Sequence, residues 1–332
     1  MEKNKQVLLA SRPNGWVQTS DFKIIESQIP EPDEGEFVVK NNWLSLDPYM
    51  RGRMVDGKSY AKPVEIGEVM AGGTVGKVIK SKNPEFTEGQ YVVGRLGWQS
   101  FSKSNGEGVS KIDPTLVPIQ NYLGVCGMPG ATAWIGLLEI CQPKPGETVL
   151  VSAATGAVGS VVAQLAKISG CRVVGIAGGP DKCNYAKEEI GYDACVDYKA
   201  NKLLENLKLA CPDGVDCSFE NVGGEIMDTV MHVLNPFSRI ALCGLISGYN
   251  ETEPYGMKMI RSILINRIKM QGFIVTDRSD LYQKALRNLV HWVSIGKIKY
   301  RETITEGIEN APSAFIGMLK GKNLGKQLVK IQ

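Results

Sequence analysis

The segment Val149-Leu150-Val151-Ser152-Ala153-Ala154-Thr155-Gly156-Ala157-Val158-Gly159 runs an apolar stretch into a turn of small residues and then into a helical pattern. Gly156 lets the backbone approach a bound group closely and Gly159 lets the helix press on the strand. The helix start offers peptide N–H groups and partial positive charge. That combination suits a pyrophosphate, so the segment predicts a dinucleotide site. Ala154 stands where a G-x-G-x-x-G turn has its first glycine; this weakens the bare motif, and the strand-turn-helix setting restores it. The choice of dinucleotide falls to the end of the following strand, where an NAD site would set a carboxylate against the adenosine ribose. There Ile176-Ala177 runs into Gly178-Gly179-Pro180-Asp181-Lys182, with no acid at the strand end. Asp181, directly after a proline and before a helical segment, reads as an N-cap. Lys182 could meet a 2′-phosphate or be a solvated lysine. NADPH is therefore expected over NADH.

These residues need elements to hold them. From Pro143 onward, strands expected at 148–152, 172–177, 194–197, 215–220, 239–243 and 269–274 alternate with helices at 158–169, 182–190 and 202–210. Such alternation predicts an α/β fold, a Rossmann doubly wound parallel sheet with helices on both faces. Residues 1–125 carry short alternating or β-branched runs between turn clusters such as Pro30-Glu31-Pro32-Asp33-Glu34-Gly35, and read as a β-rich module. After a helix ending near Gly296, the tail shows a strand at 301–305, a helix opened by Asn310 with Pro312 just inside, a stop at Gly321 and a strand at 327–331. So late a strand is expected to complete the first module. The domains are then 1–125 with 298–332, and an inserted 126–297. Loops 55–63, 98–108 and 251–261 would shape a pocket, and 98–108 reads as a surface loop rather than a lid.

Composition narrows the function classes. The 332 residues hold 38 Lys+Arg against 35 Asp+Glu, a net +3 with no basic run, so nucleic acid is not an expected partner. No apolar stretch approaches about 18 residues, so no membrane span is expected and a soluble, cytoplasmic protein is. The eight cysteines all lie beyond residue 125 without a C-x-x-C pair, and the histidines are only His232 and His291. Free, mostly buried thiols and no zinc site are expected.

Other segments carry a resemblance: Leu44-Ser45-Leu46-Asp47-Pro48-Tyr49-Met50-Arg51, Gly127-Met128-Pro129-Gly130-Ala131-Thr132-Ala133, Glu220-Asn221-Val222-Gly223-Gly224, Cys243-Gly244-Leu245-Ile246-Ser247-Gly248-Tyr249-Asn250, and Leu319-Lys320-Gly321-Lys322-Asn323-Leu324-Gly325-Lys326. With them the chain resembles, over essentially its whole length, the zinc-free medium-chain dehydrogenase/reductases. Within these it is similar to the leukotriene B4 dehydrogenase, prostaglandin reductase and alkenal double-bond reductase branch, and most of all to the bacterial NADPH-dependent curcumin reductases. The resemblance implies a GroES-like catalytic domain beside the Rossmann domain, a homodimer, and reduction of α,β-unsaturated carbonyls. It puts Gly156, Ala157, Val158 and Gly159 on the pyrophosphate, and Lys182 on the 2′-phosphate with Gly179 and Tyr198 nearby. Many relatives carry a serine where Gly179 stands. Asn221 would contact the cofactor; Cys243, Gly244, Leu245, Ile246, Ser247 and Tyr249 would line the nicotinamide side; Phe273, Ile274 and Val275 would form another wall. Met128 and Thr132 would sit near the nicotinamide, and Asn323 would reach in from the tail.

Without zinc as Lewis acid, an enone carbonyl must be polarised by hydrogen-bond donors, because charge gathers on its oxygen as hydride reaches the β-carbon. Tyr249 and the nicotinamide ribose 2′-hydroxyl are the expected donors. Tyr49 would cover the other side of the substrate, or be a tyrosine packed after Asp-Pro in a turn. Arg51 is expected to pair inside the fold. Two rival readings share the architecture: a zinc-free NADPH quinone reductase, and a non-catalytic NADPH-binding structural protein. Oxidation of an allylic alcohol is a further activity open to the same site.

Overall fold

The computed structural model describes residues 2–331. The chain divides into two compact units, Met1–Gly124 with Glu302–Gln332, and Val125–Arg301.

In the first unit a seven-stranded sheet runs in the order Glu302–Glu306, Lys326–Lys330, Phe37–Ser45, Thr74–Ser81, Tyr91–Gly94, Val109–Ile112, with Phe101–Ser104 paired on Phe37–Ser45. Neighbours are antiparallel except the first two, which are parallel. The tail strand thus enters this sheet beside Phe37–Ser45, with Leu328 opposite Ser45. Asn4–Leu9 and Phe22–Ser27 form a separate antiparallel pair. Residues 98–104 overturn the expectation of a surface loop, whereas 105–108 form the turn to the next strand, with Asn105, Glu107 and Gly108 exposed. Trp98 is 0% and Phe101 1% exposed. Trp98 stacks on Phe22 at 5.7 Å and meets Phe315 edge-on at 5.6 Å. The polar residues that suggested a loop are satisfied indoors: the Ser102 hydroxyl accepts from Asn41 Nδ2 at 2.7 Å and donates to Leu96 O at 2.8 Å.

The second unit holds a parallel six-stranded sheet in the order Ala194–Asp197, Arg172–Ala177, Thr148–Ser152, Val215–Glu220, Leu234–Leu242, Lys269–Gly272. This is the 3-2-1-4-5-6 order of a dinucleotide-binding sheet, which reverses between the third and fourth of these strands. Thr148–Ser152 is buried at every residue, as a central parallel strand covered on both faces requires. The helix after it spans Gly159–Ile168. A second correction concerns Asp181. The helix Pro180–Tyr185 has Gly179 as its N-cap at φ +98°, and Asp181 lies inside the first turn. Proline takes the first helical position, where it has no N–H to lose, and this puts the cap at Gly179, two residues before Asp181.

Candidate active site

The pyrophosphate turn is set by close approach. A Cβ on Gly159 would lie 2.5 Å from Ala153 O and 3.0 Å from Ala154 O, so the helix can seat against the strand only through glycine. The side chain of Ala154, at the place of the missing first glycine, is taken up by the neighbouring strand. A Cβ on Gly175 would be 2.7 Å from that of Ala154, so Gly175 makes the room. The buried Tyr192 hydroxyl lies 3.0 Å from Ala154 O and 2.9 Å from Gly159 O, tying both sides of the turn. Gly156, Ala157 and Val158 remain half-exposed at the helix start.

At the ends of the next two strands, Asp197 Oδ1 accepts from Gly179 N at 2.7 Å and from Lys199 N at 2.9 Å. That carboxylate is spent on holding the turn. The ring of Tyr198 lies against Gly178, where a Cβ would come within 2.8 Å of it. Lys182 is half-buried, and burial, then the charge of Lys199, push its ammonium below the usual lysine range. Lys199 thus lies near enough for Lys182 to feel its charge, a repulsion that a bound anion would relieve. Gly179, Lys182 and Tyr198 are therefore brought together, and Lys199, left unassigned from sequence, joins them.

Across the point where strand order reverses, two loops are zipped together. Gly244 N donates to Glu220 O, Ile246 N to Asn221 O and Ser247 N to Val222 O. Asn221 gives its backbone N–H to Ser152 Oγ and its Nδ2 to Ser152 O, both at 2.8 Å, while Ser247 Oγ donates to Val222 O at 2.6 Å. The organiser is Glu220, which sequence reasoning passed over. Its Oε1 accepts from Ser152 Oγ at 2.8 Å, Val222 N at 2.6 Å and Gly223 N at 2.8 Å. Burial raises its carboxyl above the usual range. Tyr249 is half-buried, and Leu245 N lies 3.5 Å from its hydroxyl, which rests over the Gly244–Leu245 backbone. Cys243 is pushed up to about 12 by burial and by Glu220, which makes it an inert thiol. Thr132 Oγ1 donates to Met128 O at 2.7 Å, inside the helix Met128–Ile135. Phe273 packs edge-on to Phe219 at 6.2 Å; Ile274 is half-buried and Val275 buried.

Tyr49 and Asn323 belong to the first unit. Tyr49 packs on its core and precedes the short helix Met50–Arg53. Burial, then Asp47, hold its phenol well above the usual tyrosine range, so it stays protonated. Asp47 accepts from Lys326 Nζ at 2.8 Å, and the same ammonium donates to Leu46 O at 2.6 Å. Both side chains of this pair are buried, and Ser45 Oγ also donates to Asp47. The ion pair joins the Asp-Pro-Tyr-Met-Arg and Gly-Lys-Asn-Leu-Gly-Lys segments, a link that spacing could not reveal. Arg51 donates to Gly15 O at 2.9 Å and is 4% exposed, so it braces the fold as expected. Asn323 Nδ2 donates to Gly325 O at 2.8 Å.

Family models match the chain in both units: one described as the N-terminal domain of oxidoreductase over residues 5–112, and one described as zinc-binding dehydrogenase over 157–291. NADPH-dependent curcumin reductase of Escherichia coli (strain K12) is 46% identical, over 99% of this chain and 97% of its own. The chain belongs to the medium-chain dehydrogenase/reductases. Within this family it falls in the zinc-free branch of curcumin, prostaglandin and alkenal reductases, and its two units are the GroES-like and Rossmann folds of that family. Prostaglandin reductase 1 of Rattus norvegicus is 48% identical over 95% of each chain. The crystal structure of CurA from Vibrio vulnificus in complex with NADPH matches with a TM-score of 0.94 at 49% identity, over 99% of both chains. Although one family description names zinc, no group of three or more His, Cys, Asp or Glu that could hold a metal exists among the described residues.

Proposed function

We propose that this chain is an NADPH-dependent reductase of the carbon-carbon double bond of α,β-unsaturated ketones and aldehydes, such as curcumin-like enones, 15-oxoprostaglandin-like enones and 2-alkenals. One coincidence carries the reading: whole-length similarity to a reductase named for NADPH meets a strand end with no ribose-binding carboxylate and two lysines, Lys182 and Lys199. The residues fit the cofactor, since the Gly159 approach admits no Cβ and the turn beside it stays open. Gly156, Ala157, Val158 and Gly159 hold the pyrophosphate; Gly179, Lys182, Tyr198 and Lys199 hold the 2′-phosphorylated ribose. Met128, Thr132, Asn221, Cys243 to Ser247 and Phe273 to Val275 line the nicotinamide half, and Asn323 comes from the first unit.

Bound NADPH supplies the hydride that reaches the enone β-carbon. Tyr249 donates its O–H to the carbonyl oxygen, where negative charge collects, and the α-carbon takes its proton last, from water. Tyr49, protonated throughout the working range, covers the flat conjugated chain or gives a second hydrogen bond. The Glu220 hub fixes the two loops that carry Asn221 and Tyr249, so neither has to be ordered during the reaction.

The reading includes a homodimer and the cytoplasm. The outer strand Lys269–Gly272 ends the parallel sheet, and Ile260, Leu264 and Ile265 beside it are 63%, 78% and 52% exposed. The eight free thiols suit a reducing compartment. The test is a set of initial rates of NADPH and NADH oxidation with a medium-chain 2-alkenal, curcumin, a simple quinone and a saturated aldehyde. Consumption of the conjugated alkenes with NADPH, and not of the saturated aldehyde, is expected. Turnover of the quinone alone would make the chain a quinone reductase, and tight NADPH binding without turnover would make it a binding protein.

A further inference from the structure

The strand Ala194–Asp197 runs parallel to Arg172–Ala177 with Asp197 opposite Ala177, and Tyr198 N carries the ladder one step further by donating to Ala177 O at 3.0 Å. Asp197 is therefore an acid set beside the strand end where an NAD site reads the adenosine ribose. A carboxylate free to reach the ribose there would accept from the 2′-hydroxyl of NADH and repel the 2′-phosphate of NADPH. Asp197 Oδ1 instead takes two backbone donors, Gly179 N at 2.7 Å and Lys199 N at 2.9 Å. These amides belong to separate segments. Gly179 stands three residues before Lys182, and its φ of +98°, with nothing within 4 Å of a Cβ, shows that glycine is needed for the path from this amide into the helix and not for space. Lys199 is the other lysine of the pair. A lysine is a point charge on a flexible stem, so the place where its backbone is anchored limits where the charge can fall. One carboxylate oxygen bridging both segments fixes the gap between the two stems before an anion arrives, and bonds to a charged acceptor are the strong kind.

We propose that Asp197 is the positioning residue behind the choice of NADPH over NADH: by holding Gly179 N and Lys199 N on one oxygen it keeps the Lys182 and Lys199 segments at the spacing a 2′-phosphate needs, and it is itself withheld from the ribose. The inference rests on the NADPH reductase reading and on these two lysines as the partners of the phosphate. The experiment measures KM and kcat for NADPH and NADH with a medium-chain 2-alkenal, the Kd of each cofactor by fluorescence titration, and the melting temperature, in the wild type, Asp197→Ala, Asp197→Asn and Asp197→Glu. Asp197→Ala is expected to raise KM and Kd for NADPH about tenfold, the scale of losing bonds to a charged acceptor, with kcat and the NADH values within about twofold of the wild type. Asp197→Asn keeps an oxygen for both amides and drops the negative charge, so it restores NADPH binding or tightens it. Asp197→Glu keeps the charge and sets the carboxylate one methylene further out; it reproduces the loss, and carries the test if Asp197→Ala does not fold. A merely structural role would weaken both cofactors alike and lower the melting temperature. That result, an NADPH KM that stays within about twofold in both Asp197→Ala and Asp197→Glu, or an Asp197→Asn that loses NADPH as Asp197→Ala does, overturns the inference and leaves the reductase reading standing. A wild type without preference for NADPH removes the phosphate reading on which the inference rests.

Discussion

Tyr249 offers a donor that is already placed, with its hydroxyl lying over the Gly244–Leu245 backbone and 3.5 Å from Leu245 N. Removing one donor of an oxyanion-stabilising pair costs on the order of 10²-fold in rate. Tyr249→Phe is therefore expected to lower kcat by about that factor with several enones while KM for NADPH stays near the wild-type value, and stopped-flow or steady-state rates check it. An unchanged kcat would remove the phenol from the chemistry. At this scale the sequence was readable where function leaves a spacing: glycines in a turn, or a strand end without an acid. It was mute on Glu220, Lys199, Lys326 and Arg53. Charged residues are ordinarily solvated, and only burial, which one-dimensional spacing does not report, separates Glu220, Lys326 and Arg53 from their surface equivalents, while Lys199 is exposed and is marked only by the charge that Lys182 feels from it.

The elements that position the site depend on one buried ion pair more than on any local preference. Lys326 and Asp47 sit 279 positions apart and hold the Asp-Pro-Tyr-Met-Arg turn to the last strand. Breaking a buried pair leaves an uncompensated charge and costs about 3–5 kcal/mol. Lys326→Met should lower hydrogen-exchange protection of the Leu328 and Val329 amides by that amount. The double variant Lys326→Met with Asp47→Leu should recover most of it, since no charge is then stranded. The strands Thr148–Ser152 and Arg172–Ala177 were legible because each is a short, mostly apolar run that leads into a turn of small residues and glycine. Residues 98–104 were not, because Ser100, Ser102 and Ser104 around a short strand look like a loop until Trp98 is seen stacked on Phe22. A single buried tryptophan outweighed the local composition.

For the whole molecule, the sequence arguments reached the fold class and the cofactor class but carried no signal for assembly, which rested on resemblance. The structure adds a physical reason. The sheet of the second unit ends at Lys269–Gly272, a strand with one side free to pair, and the helix Arg261–Ile265 next to it has no buried residue. Exposed strand edges are ordinarily blunted or covered, and an edge flanked by Ile260, Leu264 and Ile265 calls for a cover. A second copy of the chain, related by a two-fold axis, would pair the same strand with itself and bury the same side chains twice. Leu264→Glu together with Ile265→Glu places two like charges per chain against their symmetry mates. The expected outcome is a shift in sedimentation velocity from about 72 kDa, twice the 36.2 kDa chain, to the monomer mass. Both residues are already solvent-exposed within the chain, so its own unfolding transition should scarcely move. A wild type that sediments as a monomer at micromolar concentration would instead mean that this edge is left open or covered by a different partner.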